Sequence, residues 1–162
     1  PFVAPMTAAM AAAPGRHRAL VGVASLAGWR GLPGNGAYCA SKAGLIAYLQ
    51  SLRAELRASG LQVSTVSPGY LRTALTAGNR FAMPGLLEPE EAAAQLLRRV
   101  ARGEEQIVLP RRMAWLARAL GLLPIRWHER LLLAQPRKPR PGEPGATAIP
   151  GLNPEHHKQN SR

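Results

Sequence analysis

Ala19-Leu20-Val21-Gly22-Val23-Ala24 is an unbroken apolar run that leads directly into Ser25 and a glycine-rich stretch. A short run of this kind, bounded by turn residues, is the pattern of a strand buried on both faces of a parallel sheet. Ser25 to Gly36 reads as a loop, with glycines at 28, 31, 34 and 36 and a proline at 33. Ala37 to Ser59 reads as the longest helix, with Leu45, Ala47, Tyr48, Leu52 and Leu56 on its apolar side and Gly60 as its stop. Leu61 to Val66 follows as a second strand, closing in Ser67-Pro68-Gly69. Strand, helix and strand with short connections make a βαβ unit, so the fold class is α/β with a parallel sheet.

Working outward, Phe2 to Ala13 reads as the end of a helix stopped by Pro14-Gly15. Tyr70 to Leu87 is a long segment with Gly, Thr and Pro at its ends, expected to be mobile. Glu88-Pro89-Glu90-Glu91 opens a helix to Arg102, its acids favourably placed at the N-terminus. Gln106 to Leu109 is a short strand ended by Pro110, and Met113–Leu123 and Ile125–Gln135 are amphipathic helices broken at Pro124. From Pro136 the composition turns to Pro, Gly, Lys, Arg and Asn, the signature of a disordered tail to Arg162. The expected organisation is an α/β domain over residues 1–110, a helical extension over 111–135 and a tail over 136–162.

A chain of 162 residues with 46% hydrophobic content is long enough for a packed core. Its net charge of +12 raises nucleic acid as a partner. The charge is mostly scattered arginine with few aromatics between, and from Arg111 onward ten Lys and Arg stand against three Glu. That distribution is a basic surface rather than a nucleic-acid reader. No Asp occurs anywhere, which removes Ser-His-Asp catalysis and Asp-based metal sites. The single Cys39 closes no internal disulfide and fits a reducing, cytoplasmic location.

The chemistry concentrates at Tyr38 and Lys42. Four residues along a helix is about one turn, so phenol and ammonium share a face. Ser25 lies thirteen residues upstream, at the end of a strand where α/β sheets bind ligands. A hydroxyl, a phenol and a cation make a proton-transfer set for carbonyl and alcohol chemistry. A Tyr-x-x-x-Lys pair alone is usually a surface pair; its context is what lends it weight.

With Val23-Ala24-Ser25-Leu26-Ala27-Gly28, Tyr38-Cys39-Ala40-Ser41-Lys42 and Pro68-Gly69 followed by Thr73, the chain resembles the short-chain dehydrogenase/reductase family over about Phe2 to Pro110. The resemblance implies the second half of a doubly wound Rossmann-type sheet and hydride transfer between NAD or NADP and a carbonyl/alcohol pair. It implies catalytic roles for Ser25, Tyr38 and Lys42, and cofactor contacts from Tyr38, Lys42, Pro68, Gly69, Leu71 and Thr73. A phenol titrates near about 10, and a cation in hydrogen-bonding reach lowers an acidic group by about 1–3 units. Lysine also bonds the nicotinamide ribose in this family, so arginine is no equivalent.

The chain also departs from the family. No Gly-x-x-x-Gly-x-Gly phosphate loop opens a helix, and the residue that selects NAD or NADP, like the family's Asn before the serine strand, has no counterpart. The expectation is the C-terminal part of a longer enzyme, which assembles as a homo-oligomer through the Ala37–Ser59 helix.

Ser25, Trp29, Leu32, Phe81 and Met83, with Leu86 and Leu87 nearby, are the expected substrate pocket for a small apolar ketone or alcohol; ordinary core packing explains the apolar ones equally well. Trp115, Arg118, Arg126, Trp127 and Arg130 make the C-terminal helices basic and amphipathic, which fits peripheral membrane contact, or an extension packed on the substrate domain or on another subunit. His17 and His128 are isolated and expected to be solvated, and no metal site is expected, His156-His157 lacking further ligands. Cys39 is expected to pack rather than react. The competing class is a non-catalytic fragment of the same fold, or a basic module that docks on a membrane or partner.

Overall fold

A computed structural model describes residues 18–77 and 83–133, together with Ala4, Pro5 and Ala8. The helix expected at Phe2–Ala13, His17, Phe81 and the tail from Pro136 with its His156-His157 pair lie outside the described residues.

Three strands form one parallel sheet in the order β1 (Ala19–Val23), β2 (Gln62–Pro68) and β3 (Gln106–Leu109). Leu20 pairs with Val63, and Val66 pairs with Ile107. Helix α1 (Gly36–Glu55) connects the first two strands and gives way to a 3-10 turn at Arg57–Ser59. Gly60 then adopts a left-handed φ of 71°, which a residue without Cβ accepts at no steric cost. Between β2 and β3 come a single turn, α2 (Ala74–Ala77), and then α3 (Pro89–Ala101). Two further helices follow β3, α4 (Arg111–Leu122) and α5 (Ile125–Leu133). No helix among the described residues is long and apolar enough to cross a membrane.

Side chains alternate across a strand, so Val63 and Val66 serve opposite faces. Leu20 and Val63 meet Leu49 and Leu52 of α1 on one face; Val66, Ile107 and Leu109 meet Ala92 and Val100 of α3 on the other. Burying each such aliphatic side chain contributes about 1.5–3 kcal/mol. The strands step in one direction while their connecting helices lie on opposite faces, so the two crossovers have opposite hands. One of them is therefore the uncommon left-handed kind.

Several positions differ from the sequence reading. Val23 is 51% exposed, β1 being an edge strand of the sheet among the described residues. Tyr48 and Ala47 face solvent, and Leu49 takes the inward place, its methyls seated where a side chain on Gly22 would collide with them. His128, expected in solvent, is buried on the inner side of α5.

The helix ends are held by arginines. Arg53, near the end of α1, donates to the Val63 carbonyl (2.9 Å), the Thr65 hydroxyl (3.0 Å) and the Glu105 carbonyl (2.9 Å). Arg99 of α3 donates to Glu104 (2.8 Å) and to the Val108 carbonyl (2.7 Å). The long segment after β2 is stapled at both ends: Arg72 N–H donates to the Leu87 carbonyl, and Leu87 N–H to that of Tyr70. Met83-Pro84-Gly85-Leu86 closes a turn with φ of 73° at Gly85, where Pro and Gly belong in a type II turn.

Candidate active site

Parallel strands put their carboxyl ends on one edge of the sheet, where Ser25 and Pro68-Gly69 fall and which Lys42 reaches through the Val23 carbonyl. Ser25 follows β1 and is almost fully buried. Its backbone is extended, and its Oγ accepts the Ala27 N–H at 3.2 Å, capping the 3-10 turn Leu26–Gly28. The hydroxyl oxygen is thus partly occupied as an acceptor, while its proton is available to donate.

Gly28 lets this turn press on α1. A Cβ there would stand 2.8 Å from the carbonyl carbon of Lys42 and 3.0 Å from the nitrogen of Ala43. Lys42 Nζ donates to the Val23 carbonyl at 3.1 Å and lies 5.8 Å from the centroid of the Tyr38 ring. Lys42 therefore touches the serine strand just before Ser25 and the serine loop just after it. Tyr38, one turn earlier on α1, is 44% exposed.

The β2 end joins the same edge. Gly69 N–H donates to the Leu109 carbonyl at 2.8 Å, and a Cβ on Gly69 would lie 3.6 Å from Leu26 and 4.0 Å from Pro110. The Met83–Leu86 turn packs here too, since a Cβ on Gly85 would meet Pro110 at 3.1 Å and Met113 at 3.4 Å. Tyr70 follows Gly69, and burial pushes its phenol up, so it stays neutral at ordinary pH.

Backbone groups expected to face a cofactor are partly engaged within the chain. Besides Gly69, the Thr73 N–H donates to Thr76 Oγ1 at 3.0 Å, and Leu71 forms an isolated bridge with Leu87. Thr76, which the sequence reading passed over, also donates to the Leu71 carbonyl, so it organises the whole turn after β2. A Thr three residues beyond Thr73, within the single helical turn α2, is the signal that would have found it.

Trp29 and Leu32 stand elsewhere. They line a cleft of about 440 Å³ with Gly36, Cys39, Ala40 and Ala43, and neither Ser25, Tyr38 nor Lys42 lines it. The Trp29 indole N–H donates to Ser67 Oγ at 3.1 Å, tying the serine loop to the end of β2. Cys39 is buried against this loop.

A family model described as short chain dehydrogenase matches residues 2–83. An "Uncharacterized oxidoreductase" of Myxococcus xanthus (strain DK1622) is 43% identical over 105 residues, 65% of this chain and 42% of that protein. A short-chain dehydrogenase from Sphingobium yanoikuyae in complex with NADPH is 28% identical with a TM-score of 0.54, over 74% of this chain and 46% of that one. One from Burkholderia cenocepacia J2315 in complex with NADP has the same fold, with a TM-score of 0.60 at 24% identity over 73% and 48%. The chain spans less than half the length of each of these relatives. With the matching model covering half of its residues, the chain belongs to the short-chain dehydrogenase family.

Proposed function

We propose that this chain works in an NAD(P)-dependent oxidoreductase that transfers hydride between a nicotinamide cofactor and a small apolar carbonyl/alcohol pair. The observation that carries the reading is the Lys42 ammonium, 3.1 Å from the Val23 carbonyl and 5.8 Å from the Tyr38 ring, which joins the tyrosine helix to the serine strand.

The residues fit the nicotinamide-ribose end of a dinucleotide. Lysine has three N–H donors and Lys42 spends one on Val23, which leaves capacity for ribose hydroxyls. Pro68, Gly69, Leu71 and Thr73 form the wall beside it, by shape more than by free amides. No matching phosphate loop exists in this sequence. When bound, the nicotinamide supplies a hydride to the carbonyl carbon or takes one from the alcohol.

The chain's own residues handle the proton. In reduction the Tyr38 O–H bond breaks and its proton goes to the substrate oxygen; in oxidation the phenolate takes the alcohol proton back. Ser25, its oxygen already accepting from Ala27, donates its hydroxyl proton in a hydrogen bond to the same substrate oxygen as charge builds there. Lys42 adds positive charge beside the phenol. Met83 opens the turn whose Gly85 packs on Pro110 and brings an apolar side chain to that side, while Trp29 and Leu32 line the separate cleft along the serine loop.

The same reading divides the chain near residue 110, with α4 and α5 as an added helical arm. It places the protein in the cytoplasm, assembled as a homo-oligomer through α1 and in peripheral contact with a membrane through the arm.

The test is Tyr38→Phe in the enzyme that carries this chain, assayed with NADH and NADPH on apolar ketones. Turnover should fall by about 10²–10⁴-fold with the fold intact. Undiminished carbonyl reduction would overturn the assignment, leaving a non-catalytic member of the family as the better reading.

A further inference from the structure

We propose that the outer face of the α4–α5 arm is a docking surface for an anionic phospholipid bilayer. The proposal makes the membrane contact of the preceding reading specific and does not depend on its hydride chemistry.

Trp115 and Leu122 of α4, and Ile125, Trp127 and Leu131 of α5, are between 46% and 87% exposed. Trp115 and Leu122 lie two turns apart on one face of α4, and Trp127 and Leu131 one turn apart on α5; exposed apolar side chains grouped in this way mark interaction surfaces. What would cover it is indicated by the charge. Residues 111–133 carry five arginines against a single glutamate, Glu129. Arg118, Arg126 and Arg130 are exposed on the same two helices. Arg130 lies 5.8 Å from the Trp127 ring, so an apolar stem and an aromatic ring share a surface while the charge stays outward. Tryptophan at the headgroup level with arginine beside it is the composition of an interfacial helix on acidic lipid.

The geometry sets the mode. Helices of 12 and 9 residues are about 18 and 14 Å long, too short for an apolar layer of about 30 Å. They therefore lie in the interface plane. The inner side of α5 is already committed, with His128 buried, so only the outer face is free for a bilayer.

The arm is also fastened to the site. Arg30, five residues beyond Ser25, donates to the carbonyls of Gly121 and Leu123 at the C-terminal end of α4, the latter at 2.9 Å. A cation there satisfies orphan carbonyls and the negative end of the helix dipole together. The docking face is thus linked to the loop that follows Ser25.

The test is cosedimentation of the enzyme that carries this chain with vesicles of phosphatidylglycerol and phosphatidylcholine, against vesicles of phosphatidylcholine alone. Tryptophan emission is read alongside, with brominated acyl chains as quencher. The proposal expects binding to the acidic vesicles, weakened by salt, with a blue shift and quenching. Trp115→Ser/Trp127→Ser should weaken partitioning by at least about tenfold. Arg118→Gln and Arg126→Gln should each weaken it by about fivefold. All four positions are solvent-exposed, and circular dichroism checks that the variants fold. Absence of binding to the acidic vesicles, equal binding to phosphatidylcholine, or unchanged binding by the double tryptophan variant would each overturn it. So would a dimer in sedimentation velocity that the double variant abolishes without any lipid binding, since the face would then belong to a second copy. None of these readouts involves carbonyl reduction, so failure here leaves the proposed chemistry standing.

Discussion

Lys42 donates its ammonium to the main-chain carbonyl of Val23, 3.1 Å away, so one side chain of α1 holds the end of the strand that delivers Ser25. The same ammonium lies 5.8 Å from the Tyr38 ring centroid. The carbonyl at the end of the strand gains a charged donor, and the cation gains a fixed position beside the phenol. Two roles in one residue separate under substitution. Lys42→Met should cost about 1 kcal/mol of stability, the typical worth of one such bond. Lys42→Arg keeps a donor and should recover most of that stability, yet still lower kcat/KM by about a hundredfold, because a planar guanidinium does not replace a compact ammonium. Urea unfolding beside steady-state kinetics in the enzyme carrying this chain reads both.

Gly28 is needed for contact rather than flexibility. Its missing Cβ would stand 2.8 Å from one backbone atom of α1, whereas a Cβ on Gly31 in the same loop meets nothing within 4 Å. Gly28→Ala should therefore destabilise by about 1–3 kcal/mol. Gly31→Ala should stay within about 0.5 kcal/mol. Denaturant midpoints of the pair provide their own control.

The Trp29–Ser67 bond predicts a measurable coupling. Trp29→Phe leaves the buried Ser67 hydroxyl without its donor, at a cost of about 1–3 kcal/mol. In a double-mutant cycle with Ser67→Ala the coupling should be at least about 0.5 kcal/mol. A coupling near zero would show that the bond does not hold the loop in solution.

Glu104 contributes a pH-dependent increment. Its hydrogen bond from Arg99 holds its carboxylate below the usual range, assisted by the charges of Arg99, Arg111 and Arg102 and opposed by burial. A depressed folded-state pKa contributes stability above the unfolded value, lost as pH falls through the folded value. Glu104 is one-third exposed, so solvent screening keeps the increment to about 1 kcal/mol. Glu104→Gln should lower stability at pH 7 by that amount and converge with the parent in acid, below the ordinary Glu titration range. Thermal unfolding across that range tests the convergence.

Much of the architecture was legible in the sequence because its signals are local. Gln106–Leu109 was found to the residue, since an apolar stretch ends at Pro110. Glu88-Pro89-Glu90-Glu91 marked the start of α3, where a proline at the first position and acids in the first turn suit free amides. Gly60 ended the α1 region because only the left-handed conformation closes that turn. The spacing of Ser25, Tyr38 and Lys42 likewise followed from chain order and one helical turn.

The tertiary structure decided what periodicity does not encode. Leu49 rather than Tyr48 faces the sheet because Gly22, far off in sequence, leaves the room for it. Trp29 turned from the expected pocket toward Ser67, thirty-eight residues away, because an indole N–H against a buried hydroxyl needs a partner. Arg53 and Arg30 reach distant carbonyls for a similar reason: each answers to groups brought near only by the fold. Local sequence determined which elements form and where they stop, through backbone conformation and the pattern of apolar residues. Packing between elements alone chose which polar side chains hold them together, since a hydrogen-bond partner is defined by distance in space and not by position along the chain.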